Sequence, residues 1–241
     1  MDPASVWEDV LSRLRPGPAL GEAATTDLWV GAALAAGVAV VLVPVLWRLL
    51  RVVVTVVHEL GHAVVGMAVG RSFTGLVLRA DMSGHAVTVG RSRGPGRVVT
   101  TWAGYPAPAI VGAGLVHAGS HGWAAPVLAA LVVLLAVALV RSRSLFTAVI
   151  VLATFAGTGW LWWAGGEAAQ GLVLVSLGVV LLLGAWRHLG AVMGARERGS
   201  DPAVLAQLTP LPAGVWTTTF ALVLGAASWL TARHLWELLV H

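Results

Sequence analysis

The 241-residue chain contains no cysteine. Structural disulfides and thiolate metal sites are therefore excluded, and any metal must be held by nitrogen and oxygen. Lysine and asparagine are also missing, so all 15 basic residues are arginine. Charged residues make up only 11% of the chain against 58% hydrophobic, and the mean hydropathy is +0.85. These values exclude an ordinary soluble globular domain. No internal repeat or low-complexity linker is apparent, so residues 1–241 read as a single integral membrane domain. The opening "MDPASVWEDVLSRLRPGP" is acidic where a cleavable signal would be basic. Residues 1–27 are therefore expected to form an N-terminal tail. Within it, Ser5 and Glu8 make a capping-box pattern, and Trp7, Val10, Leu11 and Leu14 share one face of a short amphipathic helix suited to a membrane surface.

What is abundant is hydrocarbon. Apolar runs at 28–47, 50–69, 98–118, 123–140, 145–163, 168–186 and 213–232 approach or exceed the ~20 residues that a spanning helix needs. The sequence predicts an all-α polytopic membrane protein with six or seven transmembrane helices. Trp29, Trp47, Trp123, Trp160, Trp162, Trp163 and Trp186 fall near run ends, where indole rings sit at the headgroup level. With the N-terminus in the cytoplasm and seven spans, arginine is concentrated on the cytoplasmic side of the cell membrane, and only Arg48, Arg51 and Arg233 fall outside. A net charge of +4 carried by arginines scattered over loops does not call for nucleic acid.

Two stretches break the helical pattern. "SFTGLVLRADMSGHAVTVGRS" alternates apolar residues on either side of a turn-like "DMSG", predicting a β-hairpin from Phe73–Arg79 and His85–Val89. "RERGSDPAVLAQLTPLPAGVW" carries prolines at 202, 210 and 212. There, Ser200 or Asp201 can cap a short helix that has Pro202 in its first turn and ends near Pro210. Broken helix at membrane depth needs protein or water around it, which marks this stretch as a place for a cavity.

The segment "TVVHELGHAVVGMAV" sets two histidines and a glutamate in an otherwise apolar helix. Ionisable groups at such depth are expensive and usually functional. His58-Glu59-Leu60-Gly61-His62 is an H-E-x-x-H pattern, in which residues one turn apart share a helix face and both imidazoles can reach one metal. Glu59 then stands beside the ion as a base. A catalytic zinc usually takes three protein ligands and a water, so a third ligand must come from elsewhere. The acidic candidates beyond the tail are Asp81, Glu167, Glu197, Asp201 and Glu237. The assumed topology places Glu167 and Glu237 at the opposite face, the turn accounts for Asp81, and Glu197 lies among arginines. Asp201 is left, either as the ligand or as a plain N-cap of its helix.

These residues together resemble the site-2 protease family of intramembrane zinc metalloproteases, in a compact bacterial branch without a PDZ domain. The resemblance rests on HELGH in a membrane helix, the hairpin after it, "AGYPAPAIVGAGL" opening the next helix, and "SDPAVLAQLTPLPAGVW" further on. It covers roughly residues 50–220. Its implications are that His58, His62 and Asp201 bind Zn2+ and that Glu59 is the catalytic base. Better-studied members carry an Asn-x-x-Pro element and an Asp-Gly pair, whereas this chain has no asparagine and follows Asp201 with Pro202. Tyr105 and Pro106, with Pro108, are candidates for a substrate-binding wall.

The implied chemistry is metal-assisted hydrolysis of a peptide bond in or near the transmembrane segment of a membrane-protein substrate. Glu59 would take a proton from water and pass it to the departing amine. Access of water favours a site nearer the cytoplasmic face than the bilayer centre, and the hairpin edge could pair with an unwound substrate. Two other readings use the same residues. One is a zinc-binding but non-catalytic membrane scaffold or transporter, and the other is a metal-free helical bundle. Nothing in the sequence names the substrate, an adaptor or a homodimer. Of the remaining histidines, His117 and His121 form an i, i+4 pair with no nearby acid. His85 is expected on a solvated strand, and His188, His234 and His241 at helix ends or the terminus.

Overall fold

The computed structural model describes residues 3–21, 27–79, 83–194 and 199–240. The side chain of Ser5, most of the Asp81 turn, Glu197 and His241 lie outside the described residues. The elements in chain order are α1 (Pro3–Ser12), α2 (Asp27–Leu42), α3 (Pro44–Ala68), β1 (Ser72–Leu78), β2 (Gly84–Val89), α4 (Pro95–Trp102), α5 (Pro106–Ser120), α6 (Ala124–Val140), α7 (Leu145–Ala164), α8 (Glu167–Gly194), α9 (Asp201–Leu208) and α10 (Ala213–Val240).

Each apolar run carries helix, but the breaks fall where proline puts them. The first two runs divide at Val43, which is extended (φ −79°, ψ 117°) and followed by Pro44 in the first turn of α3. A proline pushes its predecessor out of the helical region and is itself at home in the first turn. Arg48 and Arg51, expected on the outer side of the membrane, both lie inside α3, so no turn separates the runs at 47–50. The run at 98–118 is two helices. Pro106 has no N–H to continue α4, and α5 begins there.

Among the described residues, four helices, α3, α7, α8 and α10, are long and apolar enough to cross a membrane. The apolar helices α2 and α6 have only 16 and 17 residues, so the six or seven spans expected from the runs reduce to four of that length.

The most enclosed of these four is α8. It lies antiparallel to α5 at very short range, because Gly112 faces Gly178 and Gly119 faces Gly171. A Cβ on Gly112 would stand 2.7 Å from the Gly178 carbonyl oxygen, and one on Gly119 would stand 2.8 Å from that of Gly171. Small residues one heptad apart let two backbones meet where no hydrophobic effect drives them together. Below the break between α4 and α5, Ala109, Leu182, Leu189, Leu205, Phe220 and Leu224 form a buried cluster that joins α5, α8, α9 and α10.

The hairpin pairs β1 with β2 in antiparallel register from Ser72↔Val89 to Leu78↔Gly84, with an irregularity between Phe73 and Gly75. Its two edges differ. On the β1 side, the Leu76 N–H points to the Arg141 carbonyl and the Leu76 carbonyl accepts from the Arg143 N–H, each at 3.4 Å. The Leu78 N–H donates to Thr147 Oγ1 at 2.9 Å. That edge is covered by the connection from α6 to α7. The β2 edge faces α3.

Candidate active site

The H-E-x-x-H turn lies in the C-terminal half of α3, and Asp201 opens α9 directly after Ser200, its extended N-cap. His58 Nε2 and His62 Nε2 are 3.2 Å apart. Asp201 Oδ2 lies 3.3 Å from the first and 3.2 Å from the second. The three donor atoms thus form a nearly equilateral triangle. A tetrahedral zinc with bonds of about 2.0–2.1 Å has ligand-to-ligand edges of about 3.3–3.4 Å, so one face of that tetrahedron is already drawn.

The protonation pattern points the same way. His62 Nδ1 is 2.7 Å from the Thr100 carbonyl, near the C-terminal end of α4 where carbonyls lack in-helix donors. That contact puts the proton on Nδ1 and leaves Nε2 with its lone pair facing the triangle, the usual arrangement around a metal-bound imidazole. Asp201 Oδ2 is buried and accepts no hydrogen bond. A lone pair and a carboxylate oxygen converging on one point repel each other unless a cation lies between them. The donor set fits a divalent ion that accepts nitrogen and oxygen.

Gly104 keeps the triangle open. A Cβ there would collide with Cε1 and Nε2 of His62 and lie 2.7 Å from His58 Nε2. Gly61, in the motif itself, lets α3 approach the α4–α5 break, since a Cβ there would sit 2.8 Å from the Ala103 carbonyl oxygen.

Glu59 is buried, at 7% exposure, and its Oε2 accepts a 2.6 Å hydrogen bond from the Ala86 N–H of β2. The carboxylate therefore stands between the turn that carries His58 and His62 and the hairpin. All four polar groups open on a cavity of about 600 Å3, whose wall includes Arg51, His85, Thr88, Tyr105 and His188. The Tyr105 ring meets His58 edge-on at 4.8 Å and stacks on Phe220 at 5.0 Å. Pro106, the other wall candidate, is buried in the first turn of α5 and is not among the lining residues.

Two lining residues correct the sequence reading. Arg51 was expected on the outer side of the membrane, and His188 at a helix end away from any site. A signal for the first was present, since Arg51, Thr55, His58 and His62 recur at spacings of four, three and four and so share one face of α3. Nothing local marks His188, which arrives by the packing of α8. Of the rejected acids, Glu237 pairs with Arg233 at 2.9 Å on α10, away from this cavity.

A metal-competent His-His-Asp triangle with a buried glutamate beside it, set among apolar helices, defines a membrane-embedded metallopeptidase architecture. The Peptidase M50B-like family model matches residues 31–231, and the chain belongs to that family, a site-2 protease family domain. No curated protein and no solved structure matches it.

Proposed function

We propose that this protein is an intramembrane zinc metalloprotease that cuts a peptide bond in or near the transmembrane segment of a membrane-protein substrate. The observation that carries the reading is the triangle of His58, His62 and Asp201 with edges of 3.2–3.3 Å, next to the buried Glu59. A zinc ion held there would supply Lewis acidity toward water and the scissile carbonyl. The protein's own residues do the rest. Glu59 accepts the proton of the attacking water and returns it to the departing amine, and the Ala86 N–H fixes the direction in which its carboxylate points. Thr100 holds His62 in the tautomer that faces inward.

Access follows from depth. His62 stands six residues before the end of α3, roughly 9 Å along the helix axis, so water has a short path from one membrane face. The arginine bias makes that face the cytoplasmic one. A substrate helix must unwind to expose its carbonyls, and the β2 edge offers the neighbouring strand, since the β1 edge is already taken by residues 141–143.

Glu59→Gln in tag-free protein reconstituted with a transmembrane reporter tests the reading. Zinc content should stay at the wild-type level while cleavage falls by about 10²–10⁴-fold, the usual contribution of a positioned general base. Undiminished cleavage would remove the protease reading. An unchanged non-proteolytic phenotype in cells would favour a scaffold.

A further inference from the structure

A second convergence of imidazoles lies at the far end of α5. From Gly104 to His117 the chain advances thirteen residues, or roughly 20 Å of helix, away from the zinc triangle. There His117 and His121, one turn apart, meet His234 of α10, and each ring brings a nitrogen within 4.8 Å of the others. The ring centroids are 4.1, 5.2 and 4.8 Å apart. From the sequence the α5 pair had no partner, and the fold supplies one from a residue more than a hundred positions away.

Two of the three rings are already held in place. His121 Nδ1 lies 2.9 Å from the His117 carbonyl, which fixes its proton on Nδ1 and leaves Nε2 with a lone pair. Ser120 Oγ is 2.8 Å from the Val116 carbonyl and 2.5 Å from His234 Nε2. The His117 carbonyl is a further 3.0 Å from the same hydroxyl, so Ser120 holds the His234 ring to the last turn of α5 through Nε2. Imidazoles steadied by a carbonyl or hydroxyl on one nitrogen are the common form of metal-binding histidine. His117 and His121 are exposed, so small rotations can close the nitrogens to the ~3.3 Å edges of a tetrahedral site. His117 and His234 also line a cavity of about 360 Å3 shared with Glu237, whose carboxylate is one turn from His234 and is held by Arg233.

We infer that His117, His121 and His234 form a second metal site for an imidazole-preferring divalent ion of the Zn2+ class, separate from the catalytic triangle. Such an ion ties the C-terminal end of α5 to α10. The same two helices meet at the other site, where Tyr105 at the head of α5 stacks on Phe220 of α10. The second ion therefore fixes the far end of the helix pair whose near end carries the Tyr105–Phe220 stack beside the catalytic cavity.

The test is metal stoichiometry in tag-free, full-length protein in detergent, with Zn2+ as the probe and Co2+ absorption as a second readout. Wild-type protein should bind two ions per chain, His58→Ala one, and His234→Gln or His121→Ala one. In the His58→Ala background, either change should weaken the remaining Zn2+ at least tenfold, and Ser120→Ala should weaken it less. An ion lost with His234→Gln but kept in His58→Ala would support this site even if the catalytic reading failed. Zinc binding that responds to His58→Ala alone, with no effect of His121→Ala or His234→Gln on stoichiometry or affinity, would overturn it.

Discussion

The carboxylate of Glu59 is held by the backbone of Ala86 across a 2.6 Å hydrogen bond, so a strand of the hairpin steadies the proposed proton acceptor. Ala86 is free to do this because of the register. It lies opposite Leu76, whose own N–H turns outward to Arg141, so Ala86 and Leu76 exchange no ladder bonds. Ala86→Pro removes the donor without removing a bond between the strands. Cleavage should slow tenfold or more with zinc content unchanged. Wild-type rates in a zinc-loaded Ala86→Pro protein would show that the bond does not position the base.

Gly104 is the second lever. A methyl group there occupies the ground where the ion belongs, against both imidazoles. Gly104→Ala should lower zinc affinity at least tenfold and abolish cleavage, while circular dichroism stays at wild type. Equilibrium zinc competition against a chromogenic chelator is the direct measurement, and unchanged affinity would place the ion elsewhere.

Removing the metal should be felt in stability as well as in activity. Without a cation, the His62 lone pair and the Asp201 oxygen face each other across about 3.2 Å. An ion that binds only the folded chain adds about 2.7 kcal/mol at a free concentration a hundred times its Kd. Chelation should therefore lower the unfolding temperature and stop cleavage, and zinc should restore both. An apo protein as stable as the zinc-loaded one would contradict a folded-state metal centre.

Phe220 has no exposed surface and joins Tyr105 to the cluster beneath the site. Phe220→Ala should destabilise the protein by about 3–5 kcal/mol, the usual range for emptying a buried aromatic site. It should also reduce kcat, because the ring supporting Tyr105 against His58 is gone. Equilibrium unfolding in mild detergent and cleavage kinetics measure the two effects separately.

Much of this was legible in the residues, and what was not has a physical reason. The hairpin strands fall within one residue of their expected bounds, because period-two alternation between turn residues is a local signal. The short helix after Ser200 was equally plain, being framed by an N-cap and prolines. The start of α3 was missed because hydropathy runs straight through Pro44, where backbone geometry and not apolarity sets the boundary. His62 and His58 announced themselves by spacing. Gly104, Thr100 and Ala86 did not, because what they contribute is a missing side chain, a carbonyl and an N–H, and every residue type except proline has the last two. His188 and His234 were read as helix ends, since only tertiary packing brings α8 and α10 to α5 and α3.

The strand that steadies Glu59 is moored at its other side. Through Leu76 and Leu78 the hairpin is tied to residues 141–143 and to Thr147 at the head of α7, a helix that otherwise rests chiefly on α6. The hairpin thus gives α7 a second anchorage besides α6. Thr147 and the Glu59 carboxylate are joined across the width of the hairpin, by a route that bypasses His58, His62 and Asp201 altogether.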